Sequence, residues 1–452
     1  MAAVLQSASG RVNGANERQW ERNTDSPFDC MFSPLTAHIL IIAIVALSIT
    51  LMLLRPRRIA EVYWIGGGAL LLLILRLIPL ELAGRAIAEG TDVYLFLTGM
   101  MLLSELARIF GVFDWVASVA VEHARGSCMR LFTLIYLAGT VVTILMSNDA
   151  TAVVLTPAVF SAVRRSKAEP LPNLFACAFI ANAASFVLPI SNPANLVVFR
   201  TQMPPLGQWV AAFGLPSLLS IVSTYLILSW YFRRDLVCDL PRDQQPTRLT
   251  GNGRLVLVGI VLTAVVLLVA SAMKRDLGLP TCICAVAVSC IVLIRARINP
   301  MRVVRDISWG VLPLVGGLFI LVEAIDSIGA MRLSAAVMQW AEKLPPISGA
   351  LITAGVVGVG NNLVNNLPLG LIAGSTLKAT SAHGLIANAV LIAVDLGPNL
   401  SVTGSLATIL WLIALRREGV HVDFRDFLKV GAIAMPIALA LAIAGAVVVN
   451  AL

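Results

Sequence analysis

Ser147, Asn148 and Asp149 interrupt one apolar run, and Asn361, Asn362, Asn365 and Asn366 crowd six positions of another. Amides and carboxylates without partners are costly in hydrocarbon, so such strings persist where they line a cavity or hold something. Asparagine both donates and accepts hydrogen bonds, and serine and threonine hydroxyls do the same, which suits a small oxygen-rich solute. Two further strings break apolar runs. Pro189 to Asn195 supplies Ser191, Asn192 and Asn195, and Asp395 to Ser405 supplies Asn399, Thr403 and Ser405. Those four strings hold the expected substrate ligands, and none of them contains Lys or Arg.

The carboxylates Asp149 and Asp395 are the expected proton couplers. An intramembrane aspartate has two states, ionised beside water or a cation and protonated when desolvated, and can shuttle a proton between them. A second role is open for each. Asp149 can cap a helix by accepting backbone amides, and Asp395 can fix an unwound loop. Glu105 and Glu323 read as scaffold residues near helix ends, and His38 as interfacial.

What must position these groups is a membrane domain. Of 452 residues, 58% are hydrophobic and 13% charged, and the mean hydropathy is +0.88, outside the balance of a water-soluble domain. Apolar stretches near the length of a crossing recur from Leu35 to Leu452 and number about ten. Residues 1–34 form a polar tail with nearly balanced charge and no signal-peptide pattern. The net charge of +8 comes from arginine groups at the ends of apolar runs, which argues for orientation rather than nucleic-acid binding. The groups at Arg55 to Arg58, Arg164 to Lys167, Arg233 to Arg254, Arg295 to Arg305 and Arg416-Arg417 are all cytoplasmic only if the N-terminus faces outward.

Residues 129–164 and 347–378 are long enough for re-entrant hairpins, each with a polar string near its middle. Residues 174–199 and 385–415 are helices broken by proline and glycine, whose free amides and carbonyls are available as ligands. Amphipathic stretches at Val112 to Glu122 and Met331 to Lys343 precede the hairpins. Gly99, Glu105, Gly111, Ser147 and Asn148 stand 218 positions before Gly317, Glu323, Gly329, Asn365 and Asn366. The expected fold is therefore all-α, with two inverted repeats over 35–232 and 255–452 joined by a cytoplasmic linker at 233–254. Seven cysteines are scattered; the Cys282/Cys284 pair either packs between helices or binds a soft metalloid.

The strings Ser147-Asn148-Asp149-Ala150-Thr151, Ile190 to Asn195, Asn361 to Pro368, Asp395 to Asn399 and Thr403 to Thr408 together resemble the arsenite and antimonite efflux permeases of the ion transporter superfamily. The similarity covers Leu35 to Leu452. It implies export of trivalent arsenic or antimony hydroxides across a bacterial-type inner membrane, driven by the proton gradient or membrane potential in an elevator-like cycle. It also implies a possible soluble arsenite-stimulated ATPase partner and no cofactor. Where relatives often carry Ser-Asn-Leu-Val-Asn, this chain has Ser191-Asn192-Pro193-Ala194-Asn195, which stiffens the loop. The competing expectations are a sodium/proton antiporter or an organic-acid carrier of the same architecture. A dicarboxylate needs positive charge that the strings lack. An intramembrane enzyme needs a nucleophile with a base or a metal cluster, and no His lies beside the strings. Paired broken helices favour alternating access over a channel.

Overall fold

The computed structural model describes residues 33–199, 203–238, 241 and 248–451. The expected N-terminal tail lies outside the described residues as far as residue 32. Apolar runs of this length fold as helices because hydrocarbon leaves no other partner for the backbone. In the first half these are α1 (Pro34–Leu54), α2 (Glu61–Ile74), α3 (Leu80–Glu89), α4 (Thr91–Ile109), α5 (Val112–His123), α6 (Cys128–Leu145), α7 (Thr156–Arg165), α8 (Leu171–Ala183), α9 (Pro193–Phe199) and α10 (Leu206–Tyr231). The second half adds α11 (Gly251–Ala272), α12 (Gly278–Ala296), α13 (Pro300–Asp306), α14 (Val311–Ser327), α15 (Met331–Glu342), α16 (Pro346–Val364), α17 (Asn366–Thr380), α18 (Leu385–Leu396), α19 (Leu406–Arg417) and α20 (Phe424–Ala451). There is no strand among the described residues.

Among the described residues, seven helices are long and apolar enough to cross a membrane: α1, α6, α10, α11, α12, α16 and α20. The bent pairs α3–α4 (48°) and α13–α14 (43°) bring the number to nine. Two of the seven, α6 and α16, are first arms of hairpins. With α2 and the interrupted pairs α8–α9 and α18–α19 counted instead, the described helices match the ten crossings expected. One boundary differs from the reading of the sequence. The span expected at 62–80 ends at Ile74, because Arg76 turns left-handed (φ 52°) and Pro79 starts the separate amphipathic helix α3. The linker is also shorter than expected, since Thr250 caps α11 by accepting from the Gly253 amide at 3.1 Å.

The two halves pack as a pseudo-symmetric pair. Helix α4 lies along α12 as α14 lies along α2, and α10 packs on α20. Gly99 makes the first contact close: a Cβ there would sit 2.8 Å from the Thr281 backbone. Gly317, its partner 218 positions on, would place a Cβ 2.8 Å from the Ile65 side chain. Gly111 (φ 69°) and Gly329 (φ 74°) make the same left-handed turn into α5 and α15, a conformation glycine takes without a steric penalty.

Helix ends segregate into two faces. Asp92 accepts from the Gly278 amide at 2.6 Å on one face, and Arg108 meets Asp306 at 3.0 Å on the other. Helix α4 therefore runs from the Asp92 face to the Asp306 face. The outward surfaces of α10, α11 and α12 expose Leu226, Leu262 and Ile283, as expected of helices against lipid. By contrast α8 and α18 are buried on all sides, which makes the broken helices the axis of the molecule.

Candidate functional site

The chain enters the centre four times, at two hairpin tips and two helix breaks. In the first hairpin α6 ends at Leu145, and the chain re-enters helix through a π-helical turn, Ala150–Leu155, before α7. Wide turns of this kind expose backbone groups and recur at functional sites. Ser147 accepts from the Ala150 amide at 3.4 Å, and Thr143 and Thr151 share a hydrogen bond of 2.8 Å across the hairpin. Asp149 makes no capping bond. The capping role open to it in the sequence is taken by Ser147. Asn148 is buried and its Oδ1 has no partner among the described residues.

In the second hairpin α16 and α17 meet at Asn365, held at φ 77°, ψ 153°, whose Oδ1 accepts from the Leu367 amide at 3.5 Å. Its Nδ2 donates to Thr403 O at 3.2 Å. Asn362 is wholly engaged. Its Nδ2 donates to Gly358 O (2.9 Å) and Gly397 O (3.1 Å), and its Oδ1 accepts from the Ser401 amide (3.0 Å) and hydroxyl (2.8 Å). Asn361 donates to Ala393 O (2.7 Å) and Val394 O (3.1 Å). Glycine permits this approach, for a Cβ on Gly397 would meet Gly358 O at 2.7 Å. Asn366 is buried at the first position of α17.

The two breaks are tied to each other. Asn182 of α8 donates to Asn399 Oδ1 at 2.9 Å, and Asn192 donates to Asp395 Oδ1 at 2.8 Å. Asn399 in turn donates to Phe179 O at 3.0 Å. Asn195 donates to Ser185 O at 3.0 Å, closing its own loop, and Ser191 donates to Ile144 O of the first hairpin at 3.2 Å. Ser405 and Thr408 form a capping box that starts α19. The structure thus brings Ser191, Asn192, Asn195, Asn361, Asn362, Asn365, Asp395, Asn399, Thr403 and Ser405 into bonded contact with the breaks or the neighbouring hairpin.

The residual chemistry leans toward acceptors. The amide nitrogens of Asn195, Asn361 and Asn362 each make two or more hydrogen bonds inside the protein, and those of Asn182, Asn192, Asn365 and Asn399 make one each. Acceptor oxygens remain without partners among the described residues: Oδ1 of Asn148, Asn182, Asn195 and Asn361, and Oδ2 of Asp395. Asp395 is fully buried with one hydrogen bond and no cation. An orphaned buried acceptor costs about 1–3 kcal/mol, so their concentration here points to a ligand rich in donors.

Asn182 was missed in the sequence because it stands alone in the apolar run Ala176 to Ala184, without a neighbouring Pro, Gly or second Asn. Glu105 lies outside this centre and pairs with Arg108 at 2.9 and 2.5 Å. His38 lies half-buried in α1. Cys282 and Cys284, two residues apart on α12, cannot face one another. No group of three or more His, Cys, Asp or Glu that could hold a metal ion occurs among the described residues.

The family model described as "Citrate transporter" matches residues 36–415. The arsenical pump membrane protein of Escherichia coli K12 is 26% identical over 407 residues, covering 86% of this chain and 94% of that protein. That of Yersinia enterocolitica is 27% identical over 348 residues, 74% of this chain and 81% of that one. Among solved structures, the YdaH transporter of Alcanivorax borkumensis superposes with a TM-score of 0.52 at 14% identity, over 82% of this chain and 86% of that one. At that identity the likeness bears on the fold alone.

Proposed function

The chain belongs to the citrate transporter family and is a multi-pass membrane transporter, and we propose that its cargo is a neutral trivalent hydroxide of arsenic or antimony, exported across the inner membrane. One observation carries this reading: buried acceptor oxygens of Asn148, Asn182, Asn195, Asn361 and Asp395 have no partner among the described residues, and the four strings carry no cation. A citrate tricarboxylate needs compensating positive charge, and the strings hold no Lys or Arg. An uncharged trihydroxide brings three O–H donors, and the oxygens of Asn148, Asn195, Asn361 and Asp395 accept them.

Coupling falls to the two carboxylates. A buried carboxylate with a single amide partner is stable only with a proton or a cation, and Asp395 is in that position. Asp149, beside the π-helical turn, makes no capping bond and so is free to exchange a proton as the first hairpin moves. The segregated helix ends support an N-terminus outside and the arginine-rich connections inside. The hairpins and broken helices, packed together, form the moving body of an elevator-like cycle, and the α4–α12 and α2–α14 pairs form its frame.

The test is transport by energised everted vesicles. Arsenite or antimonite accumulates, and collapse of the proton gradient and membrane potential stops it. Sodium-driven proton movement without metalloid uptake overturns the assignment in favour of an antiporter, and citrate uptake overturns it in favour of an organic-acid carrier.

A further inference from the structure

Cys128, the first residue of α6, is joined by a disulfide to Cys238, in the segment leaving α10, with Cα atoms 5.5 Å apart across 110 residues of sequence. The Cys128 amide also donates to Cys238 O at 3.4 Å, so two independent contacts hold this segment at the base of the first hairpin. Cys128 is buried and Cys238 exposed. Arg125, Arg130, Arg164, Arg165, Lys167, Arg233 and Arg234 flank the pair in sequence or at the other foot of the hairpin, which assigns it to the cytoplasmic face. Cytosolic glutathione and thioredoxin keep thiols reduced, so there the pair works as a dithiol.

We propose that Cys128 and Cys238 form a two-sulfur binding site for a trivalent thiophilic metalloid, separate from the transport centre. The proposal rests on the metalloid reading of the cargo but uses different chemistry. Each thiol sulfur bonds to arsenic as one As–O bond breaks, and the thiol proton leaves with that hydroxide as water. Two As–S bonds form, two waters depart and one hydroxide stays on arsenic. The oxidation state does not change, so no oxidant or reductant is needed. With no third His, Cys, Asp or Glu grouped here among the described residues, a four-ligand zinc site is not met, while a trivalent metalloid needs only the two sulfurs. Helix α6 has 18 residues, about 27 Å, and separates this site from the hairpin tip. An occupied site staples the hairpin base to the connection between the two halves.

The experiment uses the full chain in detergent with Cys30, Cys177, Cys282, Cys284 and Cys290 replaced by serine, reduced and titrated with phenylarsine oxide under intact-mass spectrometry. One phenylarsenic adduct per chain is expected, reversed by a competing dithiol and lost in Cys128→Ser and in Cys238→Ser. Persistence in either single variant, or no adduct on the reduced pair, overturns the proposal. As a control independent of variant folding, the native chain oxidised with diamide loses this adduct, located by peptide mapping, and regains it on reduction; an adduct that survives oxidation overturns it. A membrane-impermeant maleimide is expected to label the reduced pair in everted but not in right-side-out vesicles, and the reverse pattern overturns it. Metalloid transport is scored separately. An adduct without transport contradicts the proposed function and leaves the dithiol site standing, whereas transport without an adduct contradicts the site alone.

Discussion

The two hairpin tips occupy matched positions in the repeat, Ser147-Asn148 against Asn365-Asn366, yet they are wired in opposite ways. The second tip is a latch. Asn361, Asn362 and Asn365 spend their amides on the backbone of the second break and of α16, and Ser401 and Thr403 bond back. The first tip touches its own break through a side-chain hydrogen bond, Ser191 to Ile144 O, and among the described residues leaves Asn148 Oδ1 without a partner and Asp149 without a capping bond. Both halves, by contrast, use a glycine for close helix packing, Gly99 against the Thr281 backbone and Gly317 against the Ile65 side chain. The difference teaches that the repeat fixes the frame, while the polar residues laid on it divide into those that hold the centre together and those left for a ligand.

The largest expected effect is on the latch. Asn362→Ala removes four side-chain hydrogen bonds and strands the buried Ser401 amide, which costs about 3 kcal/mol or more. Thermal unfolding in detergent is expected to shift down by many degrees and transport to vanish with it. An unchanged midpoint would mean that the second tip is not structural. Next comes Asp395→Asn, which keeps the shape and the Asn192 contact through Oδ1 but removes the charge. Stability holds within about 1 kcal/mol, while transport falls by two orders of magnitude or more. A folded variant that still transports at the native rate would take Asp395 out of the coupling.

Asp149→Asn tests the open tip. Since Asp149 makes no capping bond, the variant folds as the native chain does, and transport falls by about tenfold with its dependence on the proton gradient lost. Retention of that dependence would shift proton coupling to Asp395 alone. The smallest effect is expected from Ser191→Ala, which breaks the side-chain bond between the first hairpin and its break and lowers stability by about 1 kcal/mol. A loss as large as that of Asn362→Ala would erase the contrast between the tips.

Much of this was legible in the residues. The 218-residue spacing pointed to a repeat, and two of its matched glycines, Gly111 and Gly329, both turn left-handed. The proline and glycine of the two breaks announced interrupted helices, and all four polar strings reach the centre. What was not legible was the direction of each hydrogen bond. An asparagine reads the same whether its amide is free or spent, so Asn362 and Asn148 looked equivalent until their partners were seen. Asn182 carried no local signal, and its pairing with Asn399 spans 217 residues. Cys128 and Cys238 were likewise too far apart for spacing to suggest a pair.

The central claim is that the centre offers acceptors to a neutral donor-rich solute through the first tip. Thermal stabilisation of the purified chain by arsenite and by citrate, compared in the native protein and in Asn148→Ala, tests it most directly. The account predicts that arsenite raises the unfolding midpoint and citrate does not. It further predicts that Asn148→Ala abolishes the arsenite shift while leaving the ligand-free stability within about 1 kcal/mol of native. Stabilisation by citrate, or an arsenite shift that survives in Asn148→Ala, would contradict it.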